Sequence, residues 1–232
     1  MAGKFIDIPA ADGGAFKAYL AVPSAKEAPG IVLIQEVFGV NNHIRSVAER
    51  YAGDGYLVLA PDIFWRSQPM FEVGYDPDSI AKGRAMKAQT DIAKAVADVA
   101  ATVSTLRSRS ECTGNVASIG YCMGGWLSFL AAANAGVDAA VCYYGGGIDG
   151  SLAQAPRAIC PILMHFGAKD EHIPLSAVEA TRGAFKGRSD VEILVYEGAG
   201  HGFHCDERGS YNAESAKLAH ERSLAFLKKT LV

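Results

Sequence analysis

Along the chain, short apolar runs rich in β-branched residues alternate with stretches in which apolar residues return every three or four positions. The runs lie at 5–8, 16–22, 30–35, 56–60, 115–120, 139–144, 161–167 and 191–196. From the third onward they are almost continuously hydrophobic, as strands covered on both faces must be. Between them the spacing predicts helices near 42–53, 123–134, 176–187 and 212–229. It also predicts one long helix from Asp78 or Ser79, along which Ile92, Val96, Val99, Val103 and Leu106 form a single stripe. Two leading strands followed by strand–helix alternation predict an α/β fold: a mostly parallel sheet of about eight strands with helices on both faces. No repeat or linker interrupts it, so residues 1–232 read as one domain.

The longest irregular stretch, 61–79, joins a strand end to the long helix. Ligands in open α/β sheets bind beyond the C-terminal strand ends, so this loop is expected to wall a pocket.

Composition narrows the function. The chain has 232 residues, half of them hydrophobic, and a net charge of −3 with scattered basic residues. That leaves no electrostatic footprint for nucleic acid. No stretch reaches the ~20 apolar residues of a membrane span, and the N-terminus lacks an apolar signal core. Five cysteines without a C-x-x-C pair suit reduced thiols in a cytoplasmic protein. A monomer is compatible with all of this.

Chemistry concentrates at Gly120-Tyr121-Cys122-Met123-Gly124. This is the nucleophile elbow G-x-S-x-G with sulfur for the hydroxyl, placed after a strand and before a helix. A helix N-terminus favours an anion, so a thiolate at Cys122 is stabilised there. A buried core cysteine is the plainer alternative. Two later residues argue against it. Asp170 follows the strand at 161–167 and His201 follows that at 191–196, giving the nucleophile–acid–histidine order of α/β-hydrolases at strand ends. His201 would then move protons, Asp170 would orient its ring, and Cys122 would attack a carbonyl carbon. The backbone N–H groups of Met123 and Val37 are the expected oxyanion donors.

Glu36 is out of place beside such an oxyanion hole. With it, the segments QEVFG (35–39), APDIF (60–64), GYCMGG (120–125), YYGGG (143–147), the Asp170 loop and AGHGF (199–203) make nearly the whole chain resemble the dienelactone hydrolase (carboxymethylenebutenolidase) family. The resemblance implies cysteine-dependent hydrolysis of a lactone or small ester through a thioester, with no cofactor, and makes Glu36 the group that takes the Cys122 proton. It also marks a departure. The arginine that clamps a substrate carboxylate four residues after the family's histidine is replaced here by Cys205, with Arg208 three residues on. Lys82, Arg84 and Lys87 stand near the region of the other arginine. Phe38, Tyr121, Tyr144, Phe203 and Trp65 are candidate pocket aromatics, and Arg84 a candidate substrate contact.

Other readings fit less well. His201-x-x-His204-Cys205, with or without His172, offers metal-ligand residue types, but no second cluster completes it, so no metal is expected. G-x-G-x-x-G is absent, which removes a dinucleotide site, and no histidine-x-glutamate pair supports an amidotransferase. A general carboxylesterase or thioesterase, or a hydrolase-fold protein that binds without catalysis, remain the alternatives.

Overall fold

The computed structural model describes residues 3–232. The elements run β1 (Lys4–Pro9), β2 (Ala15–Ala21), β3 (Ala28–Ile34), α1 (Asn42–Gly53), β4 (Leu57–Pro61), α2 (Pro77–Gln89), α3 (Ile92–Ser108), β5 (Cys112–Tyr121), α4 (Met123–Asn134), β6 (Ala139–Tyr143), β7 (Ile162–Gly167), α5 (Leu175–Ala184), β8 (Val191–Tyr196) and α6 (Ala213–Leu231). They form one eight-stranded sheet in the order β1-β2-β4-β3-β5-β6-β7-β8. The β1–β2 and β2–β4 pairs are antiparallel and the remaining pairs parallel.

Every residue of β4, β6 and β7 is buried, because helices cover the sheet on both sides. Two neighbours in β6 display this through the two-residue period of a strand. The Cys142 thiol is turned toward Ser128 of α4, whereas the Tyr143 hydroxyl meets Ser223 of α6 at 2.7 Å on the opposite face. On that second face α6 also meets α1, where His220 donates toward Asp54 and its ring packs on Tyr51. Among the described residues, no helix is long and apolar enough to cross a membrane.

The long helix expected from 78–79 to 106 is two helices. Thr90 leaves α2 in an extended conformation, φ −79° and ψ 123°. Asp91 then caps α3 by accepting from the Lys94 N–H at 3.1 Å. A short carboxylate in this position satisfies a helix start better than a helix interior. A 3-10 stretch at Asp149–Arg157 lies where the sequence pattern carries no element.

The 61–79 segment is tied across the C-terminal end of the sheet. Glu72 bridges Gly39, the Val73 N–H donates to the Phe38 carbonyl, and Arg45 grips the Glu72 carboxylate with two bonds of 2.7 and 2.9 Å. Trp65 turns away from this edge into a structural role, stacking on Phe16 and donating to Asp98.

Candidate active site

The elbow is built from close backbone approaches. A Cβ on Gly120 would overlap the Gly124 carbonyl, and one on Gly124 would overlap the Ile34 carbonyl at the end of β3. With glycines there, α4 starts hard against β3 and β5, and Cys122 is held between them at φ 55° and ψ −115°. That conformation is costly for a residue with a side chain and persists because its surroundings dictate it. The Cys122 N–H donates to the Tyr143 carbonyl at 3.0 Å, which pins the turn and leaves the thiol partly exposed.

From the sulfur a chain of polar contacts runs inward. His201 Nε2 lies 3.1 Å from Cys122 Sγ, and His201 Nδ1 lies 2.8 Å from Asp170 Oδ2. The other carboxylate oxygen, Asp170 Oδ1, accepts from the His172 and Ile173 N–H groups at 2.8 and 3.1 Å. Asp170 is thereby fixed as an acceptor, which keeps a proton on His201 Nδ1 and turns Nε2 toward the sulfur. Burial disfavours a charged His201, but its pairing with Cys122 and with the Asp170 carboxylate outweighs this and raises its pKa to about 10.

Val37 and Met123 stand at the ends of the two segments that Gly124 brings together. Neither N–H finds an acceptor among the described residues. Glu36 is fully buried, yet its side chain bonds to Arg208 and Tyr75 and not to Cys122. Its Oε1 accepts from Arg208 Nη1 at 3.1 Å, and its Oε2 is 3.5 Å from the Tyr75 hydroxyl. Arg208 lies over the rings of Phe38 and Tyr75, where nearby anions, Glu36 first, keep it charged against its burial.

The candidate aromatics divide. Tyr144, at φ 38°, sets its ring 5.2 Å from that of His201 and edge-on to Phe203. Tyr121 stacks on Tyr143 in the core at 4.5 Å. Tyr121, Tyr144 and Phe203 are all wholly inaccessible to solvent, so they support the site from behind and do not line an open cleft. Arg84 is exposed on α2, and its charge is felt by His172. His204 is buried, with no hydrogen-bond partner on either nitrogen among the described residues. Sequence reasoning passed over Tyr75 and gave Arg208 no role; their signal is three-dimensional, because Arg208 and Glu36 are separated by 172 residues.

Sheet order and elbow together make this an α/β-hydrolase. The dienelactone hydrolase family model matches residues 16–231, and the chain belongs to that family. It is similar to the carboxymethylenebutenolidase of Pseudomonas putida, 35% identical over 225 residues that cover 96% of this chain and 94% of that one. The carboxymethylenebutenolidase of Pseudomonas sp. strain P51 is 34% identical, covering 97% and 94%. A crystal structure from Klebsiella pneumoniae, named as a "Putative Dienelactone Hydrolase", superposes with a TM-score of 0.86 at 31% identity over 98% of each chain. The protein is a hydrolase.

Proposed function

We propose that the protein hydrolyses a lactone or small carboxylic ester through a thioester on Cys122. The observation that carries this is the unbroken Sγ–Nε2 and Nδ1–Oδ2 chain, 3.1 and 2.8 Å, at the tip of a strained elbow. The Cys122 thiolate attacks the carbonyl carbon, and the oxyanion is received by the Val37 and Met123 N–H groups. The C–O bond breaks as the departing oxygen takes a proton from His201. Water then attacks the thioester, His201 takes its proton, and the thiolate is released.

In this reading Glu36 draws the Cys122 proton before attack and returns it to the sulfur once the thiolate is released, and Arg208 decides when. While Arg208 holds Glu36, the carboxylate is neutralised and occupied. A substrate carrying its own carboxylate competes for the guanidinium and frees Glu36 to turn toward the thiol. Arg208 thus supplies, from a different position, the anion contact that Cys205 cannot make.

A panel of carboxylate-bearing lactones, neutral lactones and neutral esters tests both levels. The expected result is preference for the anionic lactones, with Arg208→Met lowering kcat/KM on them by roughly 10–100-fold and on neutral esters far less, as loss of a charged hydrogen bond implies. Equal rates across the panel favour the general esterase. A Cys122 that a thiol reagent labels no faster than the other four cysteines favours a binding protein.

A further inference from the structure

Beside the nucleophile lies a group of side chains that this reaction leaves partly unused. Glu36, His43 and Cys205 are all buried, and one ligand atom from each lies within 4.8 Å of the other two. They arrive from the turn after β3, the first turn of α1 and the loop after β8. His43 is 1% exposed. Its Nδ1 faces Asp206 Oδ1 at 3.2 Å, while its Nε2 has no hydrogen-bond partner among the described residues. A buried ring nitrogen without a partner calls for an explanation. Asp206 fixes the proton on Nδ1 and leaves the Nε2 lone pair buried, the arrangement found where a carboxylate supports a metal-bound imidazole.

We propose that Glu36, His43 and Cys205 form a binding site for a zinc-class divalent cation, and that an ion held there inhibits the enzyme by immobilising Glu36. One thiolate, one imidazole and one carboxylate suit zinc better than magnesium or calcium, and three protein donors leave a fourth tetrahedral position for water. Zinc bonds of about 2.0–2.3 Å set tetrahedral donors roughly 3.3–3.8 Å apart, so an ion would draw together ligand atoms that now lie within 4.8 Å of one another. On binding, the Cys205 S–H bond breaks, an S–Zn bond forms and the proton passes to solvent, with no change of oxidation state. Glu36 keeps Oε1 on Arg208 and offers Oε2, whose contact with Tyr75 is long. The site departs from the spacing His201-x-x-His204-Cys205, sharing only Cys205 with it.

Inhibition rests on the reading of Glu36 above, whereas binding does not, and the experiment separates them. Because Cys122 and His201 themselves attract zinc, binding is measured on the Cys122→Ser protein, by competition for Zn2+ with a chromophoric chelator. Co2+ serves as a second probe, reporting sulfur ligation through its thiolate charge-transfer band. One equivalent of Zn2+ is expected to bind, with affinity falling at least 10-fold on adding either His43→Ala or Cys205→Ser, and the cobalt band disappearing with the latter. Cys205→Ser, nearly isosteric, keeps the test decisive should His43→Ala fail to fold. No binding, or binding indifferent to both substitutions, overturns the site. In the enzyme with Cys122 intact, Zn2+ is expected to inhibit at the concentration at which it binds. Site-specific binding without inhibition overturns the inhibitory half of the proposal and the Glu36 role together, leaving the cation site standing.

Discussion

His201 carries the sharpest electrostatic consequence at the scale of single residues. Its pKa is raised from the ordinary 6.5 to about 10, burial opposing and pairing with Cys122 and Asp170 prevailing. A group raised on folding stabilises the fold in full below its unfolded value and loses that contribution as pH climbs through the folded one. His201 therefore stabilises the protein below about pH 6.5, and this is lost on approaching pH 10. An NMR titration of its ring is expected to place the midpoint near 10, and Cys122→Ala is expected to shift that midpoint down. A midpoint at the ordinary value in the intact protein contradicts the charge pairing. Glu36→Gln keeps the shape but cannot take a proton, so the acylation phase of single-turnover kinetics is expected to slow by about 100–10,000-fold while deacylation is spared. The nucleophile, acid and histidine candidates were legible because each follows its own strand within a few residues. The Glu36–Arg208 pair was not, since no local pattern reports which of 22 lysines and arginines folds back onto a given carboxylate.

At the scale of elements, the elbow works because two segments touch through glycines. Gly124→Ala forces a methyl against the Ile34 carbonyl, and backbone cannot rotate away as a side chain can. The substitution is expected to cost about 3 kcal/mol or more, measured by urea unfolding, and to move Met123 away from Val37. A variant of unchanged stability and rate refutes the close-contact account. Glycine spacing within one strand–turn–helix unit is a local signal, so the sequence carries it openly. The break at Thr90 and Asp91 is also local, but the apolar stripe from Ile92 to Leu106 masks it. A cap is decided by a single hydrogen bond, Asp91 to the Lys94 N–H, whereas periodicity is averaged over several turns.

At the scale of the molecule, the loop over the C-terminal sheet edge is held by charges as well as by packing. Asp98 is 1% exposed and receives both Arg66 and the Trp65 indole N–H, anchoring the 61–79 segment to α3. Arg66→Met leaves a buried carboxylate without its counter-charge, held by the Trp65 indole N–H alone, an expected loss of about 3 kcal/mol measured by denaturant melts. If stability is retained, the loop is held by other contacts. The sheet and its helices were legible because burial on both faces writes long apolar runs into the sequence. Which loop residues meet above the sheet was not, because those contacts join β3, the 61–79 segment and the loop after β8 across most of the chain. The central claim about the whole molecule is that a thiol at that junction carries the acyl group. Rapid quenching with a lactone or ester substrate, followed by intact-mass and peptide mass spectrometry, reads this directly. A transient adduct of the acyl mass is expected on the Cys122 peptide, with a fall of at least about 10,000-fold in turnover for Cys122→Ala. Turnover without any adduct, together with a Cys122→Ala protein as fast as the parent, would contradict the claim.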